Sequence, residues 1–570
     1  MRQNIEQKIK NSLKAASDKV GIIDPEINLE HPDDINHGDF SSNIALVYSK
    51  IVKSSPKALA ENIMVELKKN LPAEVCVVEI AGPGFINFKI VDSYFSKEVL
   101  KIDGDFGKGN CDKGKKVMVE YTDPNPFKIF HIGHLMSNTI GESISRFIEF
   151  SGAEVIRANY YGDVGLHVAK TMWALLQNKE KFPSEKILLV SRIEFLGEMY
   201  VLGANSYENE SVKKEIVEIN KKIFEKSDPE INSFYDLGKS WSLEYFETIY
   251  RKLGTSFDEY FPESEVALDG VKIVKEFIKK GVFEESQGAI VFPGEKHGLH
   301  TRVFINSEGL PTYEAKELGL TKKKFDLHPD LRESVVITAN EQSDYFKVLI
   351  KTVECLYPNI ASRMKHLSHG LLRPTSGKMS SRKGNIVSAE NLIKEFESLV
   401  MGKMKDREWK ENEKEVVAEI VAMAALKYVV LRQAIGGDIT YDPDKTVSFE
   451  GDSGPYLQYA CVRAEAVIRK ALEADISTKI KNMPEKVELL ERMLVRFPEV
   501  IERSRLEYAP HHTVTYLVEL SSAFNSYYAT NKIIDETDPF SPYRVALTKA
   551  FVHVLTNGLW VLGIKVPEKM

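Results

Sequence analysis

The run from residue 117 to 161 constrains the fold of this chain more than any other part of it. VMVEY (117–121) reads as a short apolar strand, and TDPNPFKIF after it as a proline-rich turn. Met136, Ile140, Ile144, Phe147 and Ile148 then recur on one helical face up to Gly152, and AEVIRANYY supplies another strand. Strand, turn, helix and strand within about 45 residues predict a right-handed parallel crossover. Further apolar runs at TRVFI, SVVIT and the segment leading to KMSSRKGN are expected to form the second half of that sheet.

A chain of 570 residues is too long for one hydrophobic core. Residues 1–105 read as a separate α+β domain, with an amphipathic helix first and LPAEVCVVEIAGPGFINFKIV folding as two strands around a Gly-Pro-Gly turn. There Ile86, Phe88 and Ile90 alternate with Asn87 and Lys89, so Asn87 is expected on an exposed polar face. GDFGKGNCDKGKK reads as a linker. Residues 112–400 are assigned to the parallel-sheet domain, interrupted at 170–290 by a charge-rich helical insertion with no strand before GAIVF. Residues 401–570 read as all-helical: Leu517, Leu520, Phe524 and Tyr527 share one face, and Leu547, Phe551, Val554 and Leu555 another.

Composition excludes several classes. With 43% hydrophobic and 28% charged residues, the chain is neither disordered nor fibrous. It has no apolar run long enough to span a bilayer, so no membrane partner is expected. The opening MRQNIEQKIKNSLKAASDKVG alternates charged and apolar residues unlike a secretory signal, which predicts a cytoplasmic protein. A net charge of −7 argues against DNA or any nucleic acid bound through global charge; an RNA partner must be met by local patches and shape. Cys76, Cys111, Cys355 and Cys461 form no CxxC pair and lie far from histidines, so buried reduced thiols are expected, with no zinc and no other metal site.

Two motifs carry the chemistry. His131-Ile132-Gly133-His134 falls at a strand-to-helix turn, where outward N–H groups and the helix dipole favour an anion. Lys378-Met379-Ser380-Ser381-Arg382-Lys383-Gly384 is a cationic loop of small residues, suited to neutralising charge on a triphosphate. Read without further context, the pair also fits a nucleotidyltransferase that adenylates a small metabolite, or an RNA-binding protein with a spent site.

Together the two motifs resemble the paired signature elements of class I aminoacyl-tRNA synthetases. VEYTDPNPFKIFHIGHL, NYYGDVGLH, TSFDEYFPES, LPTYEAKELGL, TANEQSDYF, SFEGDSGPYLQYACVR and the terminal LGIKVPEKM resemble arginyl-tRNA synthetases along nearly the whole chain. The resemblance implies an α/β fold: a Rossmann-type parallel-sheet catalytic domain, an N-terminal α+β domain and a C-terminal all-α helical bundle. It implies an arginine–tRNA ligase that makes arginyl-adenylate from L-arginine and ATP with Mg²⁺. Arginine then passes to the 2′-hydroxyl of the terminal adenosine of tRNA for arginine. A monomer and an activation step that needs bound tRNA are implied as well.

By the same resemblance His131, His134, Lys128 and Lys378 are catalytic, and ATP meets His131, Gly133, His134, Lys378, Met379, Ser380, Ser381 and Arg382. Glu120, Asn125, Tyr313, Glu317 and Gln342 would contact arginine, Tyr313 and Glu317 being at i and i+4 on a helix. Such carboxylates and amides suit a planar cation with five donors. Asn87 would read the tRNA elbow, and Tyr456, Tyr459, Arg463 and Met570 the anticodon loop. The chain departs from the family pattern at Glu317, where aspartate is usual, at Ser381, where a second lysine is usual, and at His167. Lys128, three residues before the histidine motif, is expected to supply the charge missing at Ser381, with Arg382 and Lys383 as alternatives.

Overall fold

The computed structural model describes residues 5–32, 34–375, 388–476 and 479–570. Lys378, Met379, Ser380, Ser381, Arg382 and Lys383 lie outside them. The chain forms two compact units, one of residues 1–103, 468–495 and 527–550, the other of 104–467, 496–526 and 551–570.

In the first unit, Phe85–Ile90 is the middle strand of an antiparallel sheet, between Phe40–Ser42 and Val75–Ala81. The helices Ile5–Lys19 and Pro56–Leu67 contribute Ile9, Leu13, Leu59 and Ile63 to a core shared with Ile86 and Phe88. Asn87 is not exposed as expected: it is 4% accessible, and its Oδ1 accepts the Ser41 hydroxyl at 2.7 Å. The cause is its place in a central strand, where Ser41 and Glu79 are its register partners on either side. The expectation of buried thiols also fails for three of four cysteines. Cys76, Cys111 and Cys355 are exposed and only Cys461 is buried, because Cys76 lies on an edge strand and Cys355 on the outer side of a helix end.

The second unit is built on a five-stranded parallel sheet. Its strands are β1 (Lys116–Glu120), β2 (Glu154–Tyr161), β3 (Glu259–Pro262), β7 (Leu331–Ala339) and β8 (Met364–His369), in the order β8-β7-β1-β2-β3. Val117, Met118 and Val119 are buried, as a strand covered on both faces requires. Winding goes outward from β1 through β2 to β3, then restarts at β7 on the other side. The crevice where this order reverses lies at the carboxyl ends of β1 and β7. The helix α1 (Ile132–Phe150) joins β1 to β2. Then come α2 (Leu166–Gln177), α3 (Leu189–Ser206), α4 (Glu210–Glu225) and α5 (Pro229–Leu253).

Three sequence expectations need correction here. The stretch 170–290 is not free of sheet: β3, only four residues long, returns to pair with β2. TRVFI is not part of the parallel sheet. With GAIVF it builds a separate antiparallel sheet of β4 (Glu284–Ser286), β5 (Ala289–Phe292) and β6 (Arg302–Ile305). Finally, the region beyond 400 holds a short strand, Ile439–Tyr441, paired in parallel with Leu372–Pro374. Four-residue strands bury too little to leave a period that a sequence reader can recognise. Among the described residues no helix is long and apolar enough to cross a membrane.

Two helices fix the floor of the crevice. They are α6 (Glu263–Ile278) and α7 (Tyr313–Leu327), which cross at Gly270 and Gly319. A Cβ on Gly270 would lie 1.8 Å from the Ala315 carbonyl oxygen, and one on Gly319 2.3 Å from that of Val266. The helices therefore touch main chain to main chain. This brings Glu263, at the start of α6, against Lys316 of α7 at 2.7 Å. Gly270→Ala should force the helices apart and lower stability by about 1–3 kcal/mol in urea unfolding. An unchanged midpoint would show that the crossing is not tight.

Candidate active site

The turn after β1 is held in an unusual shape. Thr122, Asp123 and Phe127 have φ of 81°, 49° and 66°, in the left-handed region that costs a residue with a side chain of order 1–3 kcal/mol. Side chains from other elements hold it there. Ser137 Oγ accepts the Thr122 amide at 3.0 Å and donates to the Ile337 carbonyl at 3.0 Å. Asp123 Oδ1 accepts the Tyr160 amide, and Asn125 Oδ1 the Gly162 amide, both at 2.9 Å. The Phe127 amide goes to Ser242 Oγ of α5, at 3.0 Å.

α1 starts immediately beyond this turn, and histidines cap it. His131 Nδ1 accepts the Gly133 amide at 3.1 Å, and His134 Nδ1 accepts the His131 amide at 3.2 Å. With both Nδ1 atoms accepting, each ring carries its proton on Nε2. The rings stack at 3.6 Å. Burial, then the positive charge of Lys128, pulls the His131 pKa down to about 4. Burial and His131 push His134 well below the usual range. At neutral pH the pair is thus uncharged and offers N–H donors at a helix N-terminus. Lys128 itself is lowered by burial and by Lys170. Ser388 bridges His131, and the Ala389 amide donates to the Phe130 carbonyl at 2.9 Å, so the chain that follows the basic motif returns to this turn.

Beneath the turn lies a buried acidic pocket. Lys324 of α7 reaches Glu120, at the end of β1, at 2.5 Å, both nearly inaccessible. Burial opposes the Lys324 charge, but Glu120 and Glu317 outweigh it and raise its pKa. Glu317 is buried with no hydrogen-bond partner on Oε1. Burial, then Glu120, pushes its pKa up to about 8. Asp123 is raised well above the carboxylate range by the same two causes. Three carboxylates thus share one ammonium.

Glu120, Asn125 and Glu317 are brought to this crevice. Tyr313 opens α7 and is 61% exposed, its carbonyl accepting the Tyr345 hydroxyl at 3.2 Å. Gln342 is exposed on a short turn after β7. Tyr456, Tyr459 and Arg463 share the outer, accessible side of the helix Gly454–Glu473, while Leu457, Ala460 and Ala464 face inward. Tyr456 accepts from Asn525 at 3.0 Å, and Met570 is half-buried. Sequence reasoning missed Lys324 and Asp123. The first had a signal, since Lys324 follows Glu317 at i+7 on the same helical face. Asp163, two residues beyond β2, is buried. It accepts from Tyr235, Lys239 and both the amide and hydroxyl of Ser264, at 2.6–3.1 Å. His167 Nε2 donates to the Gly162 carbonyl at 2.8 Å.

Comparison with known proteins adds three family matches. The model for tRNA synthetases class I (R), catalytic domain, covers residues 97–442; that for the DALR anticodon binding domain covers 457–570; that for the arginyl tRNA synthetase N terminal domain covers 3–90. The arginine–tRNA ligase of Fusobacterium nucleatum is 30% identical over 544 residues, 94% of each chain. That of Treponema denticola is 30% identical over 569 residues, 96% of each. The fold is shared with Thermus thermophilus arginyl-tRNA synthetase, at TM-score 0.82 and 22% identity over 99% of this chain and 100% of that one. The Plasmodium falciparum arginyl-tRNA synthetase superposes with TM-score 0.81 at 19% identity, over 99% of both chains.

The histidine geometry is open to a direct check. In nitrogen-detected NMR of the full chain, both rings should stay in the Nε2–H form between pH 8 and 5.5. Lys128→Met should raise the His131 midpoint, because a neighbouring positive charge is lost while burial remains. No rise would separate Lys128 from the pair.

Proposed function

The chain belongs to the arginyl-tRNA synthetases, the class I arginine–tRNA ligases, and on that premise we propose that its buried acidic pocket receives the guanidinium of L-arginine. The observation that carries this reading is the charge imbalance. Glu120, Asp123 and Glu317 face one ammonium, Lys324, and Glu317 Oε1 has no partner. A guanidinium supplies the missing cation and several N–H donors in one plane. Asn125, Tyr313 and Gln342 complete the arginine contacts.

ATP binds above, with its phosphates toward the Nε2–H donors of His131 and His134, and Gly133 lets the nucleotide approach the backbone closely. Its Mg²⁺ travels with the phosphates as part of the substrate and screens their charge. The arginine carboxylate attacks the α-phosphorus, and pyrophosphate leaves with the electron pair of the broken P–O bond. Lys128 offsets charge that builds there, the role left open by Ser381. Lys378, Met379, Ser380, Ser381 and Arg382 are ATP contacts on the strength of the motif alone. The 2′-hydroxyl of tRNA then attacks the arginyl carbonyl, and AMP departs.

Residues 1–105 serve the tRNA elbow, 112–400 the chemistry and 401–570 the anticodon loop. Tyr456, Tyr459 and Arg463 suit base stacking, being on one accessible helical side, and Met570 joins them. Asn87, engaged by Ser41, buttresses its strand there instead of facing RNA. The enzyme acts in the cytoplasm as a monomer, and bound tRNA switches on activation.

Arginine-dependent ATP–pyrophosphate exchange, with and without tRNA and with lysine as control, tests the whole. Exchange should need arginine and tRNA together. His134→Ala should lose about 100- to 1000-fold in activation while still binding arginine; near-normal exchange would remove His134 from the chemistry.

A second test follows from Glu317. Its raised pKa keeps it protonated at neutral pH in the empty pocket, and a bound cation favours the ionised form, so arginine binding should release a proton. Affinity should therefore rise with pH up to about 8 and weaken by up to tenfold for each unit below it. Calorimetry in two buffers of different ionisation enthalpy counts the proton. Glu317→Gln should abolish the release, and binding without proton exchange in the parent chain would contradict the assignment.

A further inference from the structure

The helical stretch between β2 and β3 has no part in the reaction as described so far. One of its helices nevertheless reaches the strained turn. Tyr235, Gly238 and Ser242 lie on a single side of α5, against Phe127. The Phe127 ring stacks on Tyr235 at 5.9 Å, in a slot that exists because residue 238 has no side chain. A Cβ on Gly238 would lie 2.3 Å from the Phe127 ring. Ser242 is 2% exposed, and its hydroxyl donates to the Gly238 carbonyl at 2.8 Å. That bond turns the oxygen lone pairs toward the Phe127 amide, which donates to it at 3.0 Å.

Phe127 is itself left-handed, and Lys128 follows it directly. The turn's other anchors bind Thr122, Asp123 and Asn125, all before Phe127. The Lys128 amide goes back to the Asn125 carbonyl at a long 3.3 Å. On the described residues, the last firm side-chain hold before Lys128 is therefore Ser242.

We propose that Ser242, seated by Gly238, is a positioning residue for adenylate formation: it fixes the backbone at Phe127 and so aims Lys128 at the histidine turn. This rests on the reading of Lys128 as the compensating cation. α5 is then part of the catalytic apparatus and not only packing for the fold. Removing the Ser242 hydroxyl leaves a buried amide without an acceptor at a strained position, which loosens Lys128 and spares the carboxylates that hold arginine.

The test is a double-mutant cycle in the full chain, read by arginine- and tRNA-dependent pyrophosphate exchange. Ser242→Ala should lower kcat by about ten- to hundredfold and leave the arginine KM within twofold. Ser242→Thr, which keeps the hydroxyl, should restore it. In a Lys128→Ala background, adding Ser242→Ala should cost nothing more, because its target is already gone. Equal losses in both backgrounds, or none in the parent, would overturn the proposal. If Lys128→Ala alone activates arginine at the parental rate, the reading of Lys128 fails, and Ser242 with it, a result distinct from additivity. Should Ser242→Ala not fold, Gly238→Ala displaces the same ring and must give the same non-additive pattern.

Discussion

The buried ammonium of Lys324 holds the acidic pocket of the catalytic unit together. Taking Glu120 and Glu317 out of water is unfavourable, and one cation compensates only part of that. The ion pair fastens the end of β1 to α7, and α7 to α6 through their close crossing. The remainder is met in the empty pocket by protonation of Glu317, whose Oε1 has no hydrogen-bond partner. The same groups thus carry both the cohesion of this pocket and its unmet hydrogen-bonding capacity.

Above that pocket, the local geometry turns ordinary side chains into oriented donors. The histidine rings use one nitrogen each to cap α1, which leaves the opposite nitrogen committed to donation. Burial keeps them uncharged, so they present direction without adding positive charge; Lys128 provides the charge. These are separate functions, and the turn between β1 and α1 keeps them adjacent.

Much of this was legible in the residues. VMVEY, the apolar stripe of α1 and AEVIRANYY announced the crossover because each is long enough to show its period. The histidine motif was legible as a strand-to-helix turn. The resemblance singled out Glu120, Asn125 and Glu317, which the structure brings to one crevice, and spacing placed Tyr456, Tyr459 and Arg463 on one helical face. What escaped notice depends on partners distant in sequence. β3 is four residues ending in proline and becomes a strand only beside β2. TRVFI looked like any apolar strand, and nothing in its own residues says which sheet it joins. Asn87 follows the polar alternation of its strand, but coverage by Ser41 comes from 46 positions away. Lys324 pairs with a glutamate 204 positions earlier, with α1–α6 and β2–β6 between them.

The crossing of α6 and α7 has a consequence for how this site tolerates change. Where helices meet through side chains, their spacing drifts as those side chains are exchanged. Here main-chain atoms touch, and their radii set a mechanical stop. Glu263, Lys316, Glu317 and Lys324 all hang from this pair of helices, so the pocket's dimensions are referenced to backbone. The surrounding core can be rebuilt residue by residue while the spacing of the charges stays calibrated.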